Sequence, residues 1–172
     1  MFILFGCASR PDTSPGLVYL SSDISYQLTQ VPDELIGQEQ TVFITIESEN
    51  SYTELLVVTT FTKTAIGMVF LTPEGIPLTE FTYQLNGDVH SKQYLPSVKL
   101  QPKYILANLQ IMLWPVAELN KALFGARVLE KNSSRQVLSD DELIYEVQFG
   151  ENEDVFYNHI NEFKMVITQV SN

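Results

Sequence analysis

The stretch PKYILANLQIMLWPVAELNKALFG, residues 102–125, decides how the rest of the chain is read. Ile105, Leu109, Met112 and Leu113 follow the spacing i, i+4, i+7, i+8, so they share one face of a helix. Pro115 cannot continue that helix. It suits the first turn of a second one, in which Val116, Leu119 and Leu123 point inward and Gly125 is the stop. The pattern predicts two short helices joined at Trp114.

On either side the period is two. In TVFITIES, Val42, Ile44 and Ile46 fall on one face and Phe43, Thr45 and Glu47 on the other, as in a half-buried strand. The runs YTELLVVTTFT and AIGMVFLT are rich in β-branched residues, and the Pro-Glu-Gly of LTPEGIP turns the chain into LTEFTYQL. Asn86-Gly87-Asp88 ends that block. After the helices, ARVLEK and RQVLS read as strands. Ser139 to Glu142 has the spacing of a helix capping box, but Leu143, Tyr145, Val147 and Phe149 alternate, and a strand is the expectation. VFYNHI and EFKMVITQV form a last hairpin.

Hairpins with two helices inserted late predict an α+β fold: an incomplete antiparallel β-barrel, that is a strongly curved sheet, with the short helical pair as a lid over its concave face. Such a sheet encloses an apolar hollow. Residues 17–172 are expected to form one domain, a length that supports a sizeable core.

Composition narrows the function. Hydrophobic residues make up 45% of the chain and charged ones 18%, below the ~25% usual for globular domains. That leaves apolar surface to be hidden in a cavity or against a partner. The net charge of −11 repels nucleic acid and argues against a broad basic patch on an anionic leaflet. No stretch approaches the roughly 20 apolar residues of a membrane-spanning helix. A single cysteine forms no internal disulfide.

That cysteine, Cys7, follows Leu4-Phe5-Gly6, and the four residues together resemble a bacterial lipobox, in which the cysteine is lipidated. Residues 8–16, ASRPDTSPG, have the small, Pro/Ser/Gly-rich composition of a flexible tether. Residues 1–16 are therefore expected to be a signal remnant and tether, with MFILF the end of a longer signal. By the sorting pattern of bacterial lipoproteins, Ala8 after the cysteine implies transfer to the outer membrane.

Familiar catalytic and metal patterns are not found. His90 and His159 lack a close second ligand, and no Gly-x-Ser-x-Gly elbow, phosphate loop or EF-hand spacing is present. The acidic Glu151–Asp154 reads as a solvated turn. The expectation is a protein without cofactor, metal or enzymatic activity.

The segments LTPEGIPLTEFTYQLNG and YLPSVKLQPKYILANLQIMLWP, with the closing Tyr/Phe-rich strands, resemble the bacterial lipoprotein family labelled domain of unknown function 3261. Its members often lie beside aryl-polyene or related lipid-biosynthesis genes. The order of elements also resembles the LolA/LolB fold, whose half-barrel holds lipoprotein acyl chains. The resemblance implies a lipoprotein of the outer membrane, facing the periplasm, that binds a lipid, an acyl or polyene chain, or a lipidated protein. Candidate cavity and lid residues are Phe70, Phe81, Tyr83, Ile105, Leu109, Met112, Trp114, Val147 and Phe149. LolB carries an exposed leucine between the Pro and Gly of the matching hairpin. This chain has Glu74 there, with Ile76 two residues on, as a membrane or partner loop. Two alternatives stay open: an assembly lipoprotein with a filled core and an envelope-protein partner, and an enzyme acting on lipid esters.

Overall fold

A computed structural model describes residues 15–95 and 101–170. Residues 1–14 of the expected signal remnant and tether, Cys7 among them, lie outside these. The elements run β1 (Leu17–Tyr19), β2 (Ser25–Gln27), a 3-10 turn (Asp33–Leu35), β3 (Glu39–Ser48), β4 (Ser51–Phe61), β5 (Ala65–Leu71), β6 (Pro77–Gln84) and β7 (Val89–Gln93). Then come α1 (Pro102–Leu113), α2 (Val116–Ala122), β8 (Leu123–Phe124), β9 (Arg127–Lys131), β10 (Ser134–Ser139), β11 (Glu142–Gln148), β12 (Glu153–Asn158) and β13 (Phe163–Gln169).

Ten strands form one antiparallel sheet in the order β7-β6-β5-β4-β3-β13-β12-β11-β10-β9. The fold is α+β, as expected, and the sheet is not closed into a barrel: β7 and β9 are its two edges. The last strand of the chain pairs with β3, so the hairpins before and after the helices join through β3 and β13.

Local chemistry explains the turns. Asp140 and Asp141 have φ of 46° and 68°, the left-handed pair of a two-residue hairpin that Asp tolerates. The capping-box spacing at Ser139–Glu142 is therefore a strand turn. A bulge opposite it, between Val137 and Leu138, breaks the alternation, so Ile144 and Tyr145 are both buried.

Residues 15–31, which carry little periodicity, supply β1 and β2, which pair with β8 in a second sheet of order β1-β2-β8. It reaches from one edge of the large sheet to the other. Pro15 packs on Gly87 at the β6–β7 turn, where an added Cβ would sit 2.3 Å from Pro15 Cβ. At the other end Gly125, with φ +78°, lets the chain pass from β8 into β9, and a Cβ there would be 2.1 Å from the Asp23 carbonyl oxygen. Both positions need glycine.

The helices are more than a lid. α1 begins on Pro102 and is apolar on two sides. Leu106, Ala107, Gln110, Ile111 and the following Trp114 are fully buried, whereas Ile105, Leu109, Met112 and Leu113 are only half-buried. The helix is held between the sheet and residues 15–31.

Candidate ligand cavity

The side chains that fix α1 come from distant segments. Gln110 Oε1 accepts from the Tyr26 hydroxyl at 2.8 Å and the Thr29 amide at 3.0 Å, while its Nε2 donates to the Thr29 carbonyl at 3.1 Å. The Trp114 indole N–H donates to the Gln30 carbonyl at 2.9 Å, and its ring lies 6.2 Å from that of Phe61. At the helix end, Nη1 of Arg135, a buried side chain, reaches the carbonyls of Ile111, Met112 and Trp114 at 2.8–2.9 Å. A cation there satisfies carbonyls that have no partner within the helix. Its Nη2 donates to Glu130 at 3.0 Å, and its guanidinium lies 5.6 Å from the Phe149 ring centre.

With one side of α1 so fixed, the other side faces a cavity of about 140 Å3. Its floor comes from the inward-facing positions of β3, β4, β5 and β13, among them Val42, Ile44, Ile46, Leu55, Val57 and Met165. Its roof is Ile105, Asn108, Leu109, Met112 and Leu113 of α1. The inward residues of the neighbouring strands, such as Ile66, Phe81, Tyr145 and Val147, are buried. Val42, Ile44, Ile46 and Met165 point the same way yet stay half-buried. Among the central strands, the inward apolar positions are least covered on β3 and at Met165 of β13.

One side of the cavity is polar. Gln40, Thr59, Asp154 and Gln169 lie there, toward one end of their strands, and Asn108 of α1 also lines the cavity. Asp154 Oδ1 accepts from the Gly150 amide at 3.2 Å. An apolar group with a polar end fits such a space.

Of the residues expected in the cavity, Phe70, Ile105, Leu109 and Met112 line it. The other five lie elsewhere. Phe81 stacks behind Phe70 with ring centres 5.6 Å apart. Tyr83 is buried near Gly16, Val147 is buried in β11, and Phe149 lies beside Arg135. Trp114, expected at a hinge where ligand would enter, is wholly buried and hydrogen-bonded. Aromatic size marks core as readily as cavity wall, so sequence could not separate them.

Glu74 and Ile76 are exposed on the β5–β6 hairpin, Ile76 at 55%. The Thr72 hydroxyl holds the Glu74 carboxyl below the usual range, so the tip is anionic. His90 is exposed on β7, and His159 stacks on Tyr157 at 6.3 Å. Among the described residues no group of three His, Cys, Asp or Glu side chains could hold a metal. Burial raises the phenols of Tyr26 and Tyr83, and pushes that of Tyr145 up to about 12 with help from Tyr104.

The polar side of the cavity was missed in the sequence. Asp154 reads as part of an acidic turn, yet it pairs with Ile167 and so faces inward. The signal available was its place two residues before Phe156 on the inward parity.

Fold and cavity together define an α+β protein in which a helix packs on one face of an open antiparallel sheet. The chain belongs to the family described as "Protein of unknown function (DUF3261)", whose profile matches residues 37–171. The match begins after the segment that forms β1 and β2. No curated protein matches the chain.

Proposed function

We propose that this protein is a lipid-anchored carrier, tethered through Cys7 to the outer membrane on its periplasmic face, that holds the apolar part of a lipid or lipidated partner and releases it without chemistry. The reading extends the open sheet to a LolA/LolB-like half-barrel. One observation supports it above all: inward-facing Val42, Ile44, Ile46 and Met165 are left half-buried opposite Ile105, Leu109 and Met112. Apolar side chains on the inner face of a sheet are normally covered, because each buried methylene contributes roughly 0.8 kcal/mol. A ligand chain would supply that cover.

The volume limits what enters. A cavity of about 150 Å3 accepts benzene, so 140 Å3 holds one ring or a chain end. A full acyl chain requires α1 to move.

The second reading, an assembly lipoprotein with a filled core, draws on the same small volume and on the burial of Phe81, Tyr83, Trp114 and Val147. Titration with a fluorescent fatty acid separates the two. The carrier reading expects saturable uptake that Leu109→Trp abolishes while the protein stays folded. No uptake by the wild-type chain favours the filled core.

A further inference from the structure

The face of the sheet turned away from α1 carries a feature that the cavity does not explain. Directly paired residues share a face, so the register defines three outward rows. Leu71, Leu56, Phe43 and Thr168 form one. Val69, Val58 and Thr41 form the next, and Thr45, Val166 and Val155 the third. These positions alternate with the cavity-lining residues and point away from α1. Each row runs uncharged across the central strands until it meets a carboxylate, Glu153, Glu80 or Glu54, and Phe43 is 42% exposed. A solvated sheet face ordinarily alternates polar-out with apolar-in. Here both faces of the central strands are apolar.

The island is bounded on all sides. On β6 and β7 the same face shows Glu80, Thr82, His90 and Lys92, and on β10 and β11 it shows Gln136, Glu146 and Gln148. The rim carries six carboxylates, Glu39, Glu47, Glu54, Glu80, Glu146 and Glu153, against two ammonium groups. Of these, Lys164 bonds Glu47 at 3.3 Å and Lys92 lies 4.5 Å over the Tyr94 ring. An apolar patch inside a charged rim marks an interaction surface.

From this face we infer a docking surface for another protein, one whose own patch is apolar at the centre and framed by Lys or Arg. The rim chooses the occupant. A second copy would set two acidic rims against each other, and an anionic leaflet would be repelled in the same way. The surface lies on the opposite side of the sheet from the cavity and stands whether or not the cavity binds lipid.

The test places a photo-crosslinking amino acid at Val58 of the full-length chain in its native host, with Gln136, on the polar part of the same face, as control. The inference expects a protein adduct at Val58 alone, with the crosslinked peptide on a surface bearing Lys or Arg. The purified partner should bind about tenfold more weakly to Leu56→Lys, and less tightly as salt rises. Reversal of the rim in Glu54→Lys/Glu153→Lys should weaken it too, a variant that leaves the apolar rows intact. Adducts to a second copy or to phospholipid, equal labelling at both positions, or no adduct would overturn the inference, as would binding indifferent to the rim.

Discussion

The hydroxyl of Tyr26 donates to Gln110 Oε1 at 2.8 Å across 84 residues of sequence, and both side chains are wholly buried. This bond ties β2 to the middle of α1. A buried amide with each bond satisfied stabilises modestly, but removing it leaves its partners unpaired at about 1–3 kcal/mol each.

Gln110→Ala orphans the Thr29 amide and carbonyl and the Tyr26 hydroxyl together. We expect a loss of about 3 kcal/mol, read as a lower urea midpoint. Tyr26→Phe removes one donor from an oxygen that Thr29 still satisfies, and should cost about 1 kcal/mol. Equal losses in the two variants would show that the Gln110 network does not fix the helix.

Arg135 does comparable work at the end of α1, where one nitrogen meets three carbonyls. Arg135→Met should destabilise by about 3 kcal/mol, since the carbonyls stay buried and lose their cation. Arg135→Lys should recover little, because an ammonium cannot serve these carbonyls and Glu130 in one fork. Glu130→Gln should change stability by less than about 1 kcal/mol, its side chain being 48% exposed.

The two sides of α1 give opposite responses to one insertion. Ala107 is fully buried, and Ala107→Trp overpacks the core by more than about 3 kcal/mol. Leu109 borders the cavity, and Leu109→Trp has space to enter, so its thermal midpoint should stay near that of the wild type. Equal melting of the two variants would mean that the cavity is not open space.

Stability should fall at alkaline pH. The Tyr145 phenol titrates at about 12 when folded and near 10 when unfolded, so between these values the folded state holds more protons. The contribution is complete below pH 10 and is lost as pH rises toward 12, on the order of 2 kcal/mol. Tyr26, raised further by burial, acts in the same direction. Tyrosinate absorbance should therefore appear in two stages, the second together with unfolding. Tyr145→Phe should move the alkaline midpoint upward.

Much of the sheet could be read from alternation. TVFITIES gave the right inward set, Val42, Ile44 and Ile46, since a half-covered strand separates its faces by chemistry. Residues 17–27 could not be read: strands of three residues leave no period to detect. α1 shows a different limit. Its predicted face, Ile105, Leu109, Met112 and Leu113, borders the cavity, while Leu106, Ala107 and Ile111 are the packed core. A helix apolar on both sides does not say which side meets protein and which meets empty space. Gln110 and Arg135 escaped notice for a related reason, because burial of a polar group depends on partners far away in sequence.

On the proposed function, the space between α1 and strands β3 and β13 receives a ligand. The most direct measurement is mass spectrometry of an organic extract from a version beginning at Pro15, exported to the periplasm of a Gram-negative host and purified without detergent. A carrier should yield a lipid or polyene in stoichiometric amount, lost in Leu109→Trp. An empty extract from a folded protein that also takes up no fluorescent fatty acid would contradict it.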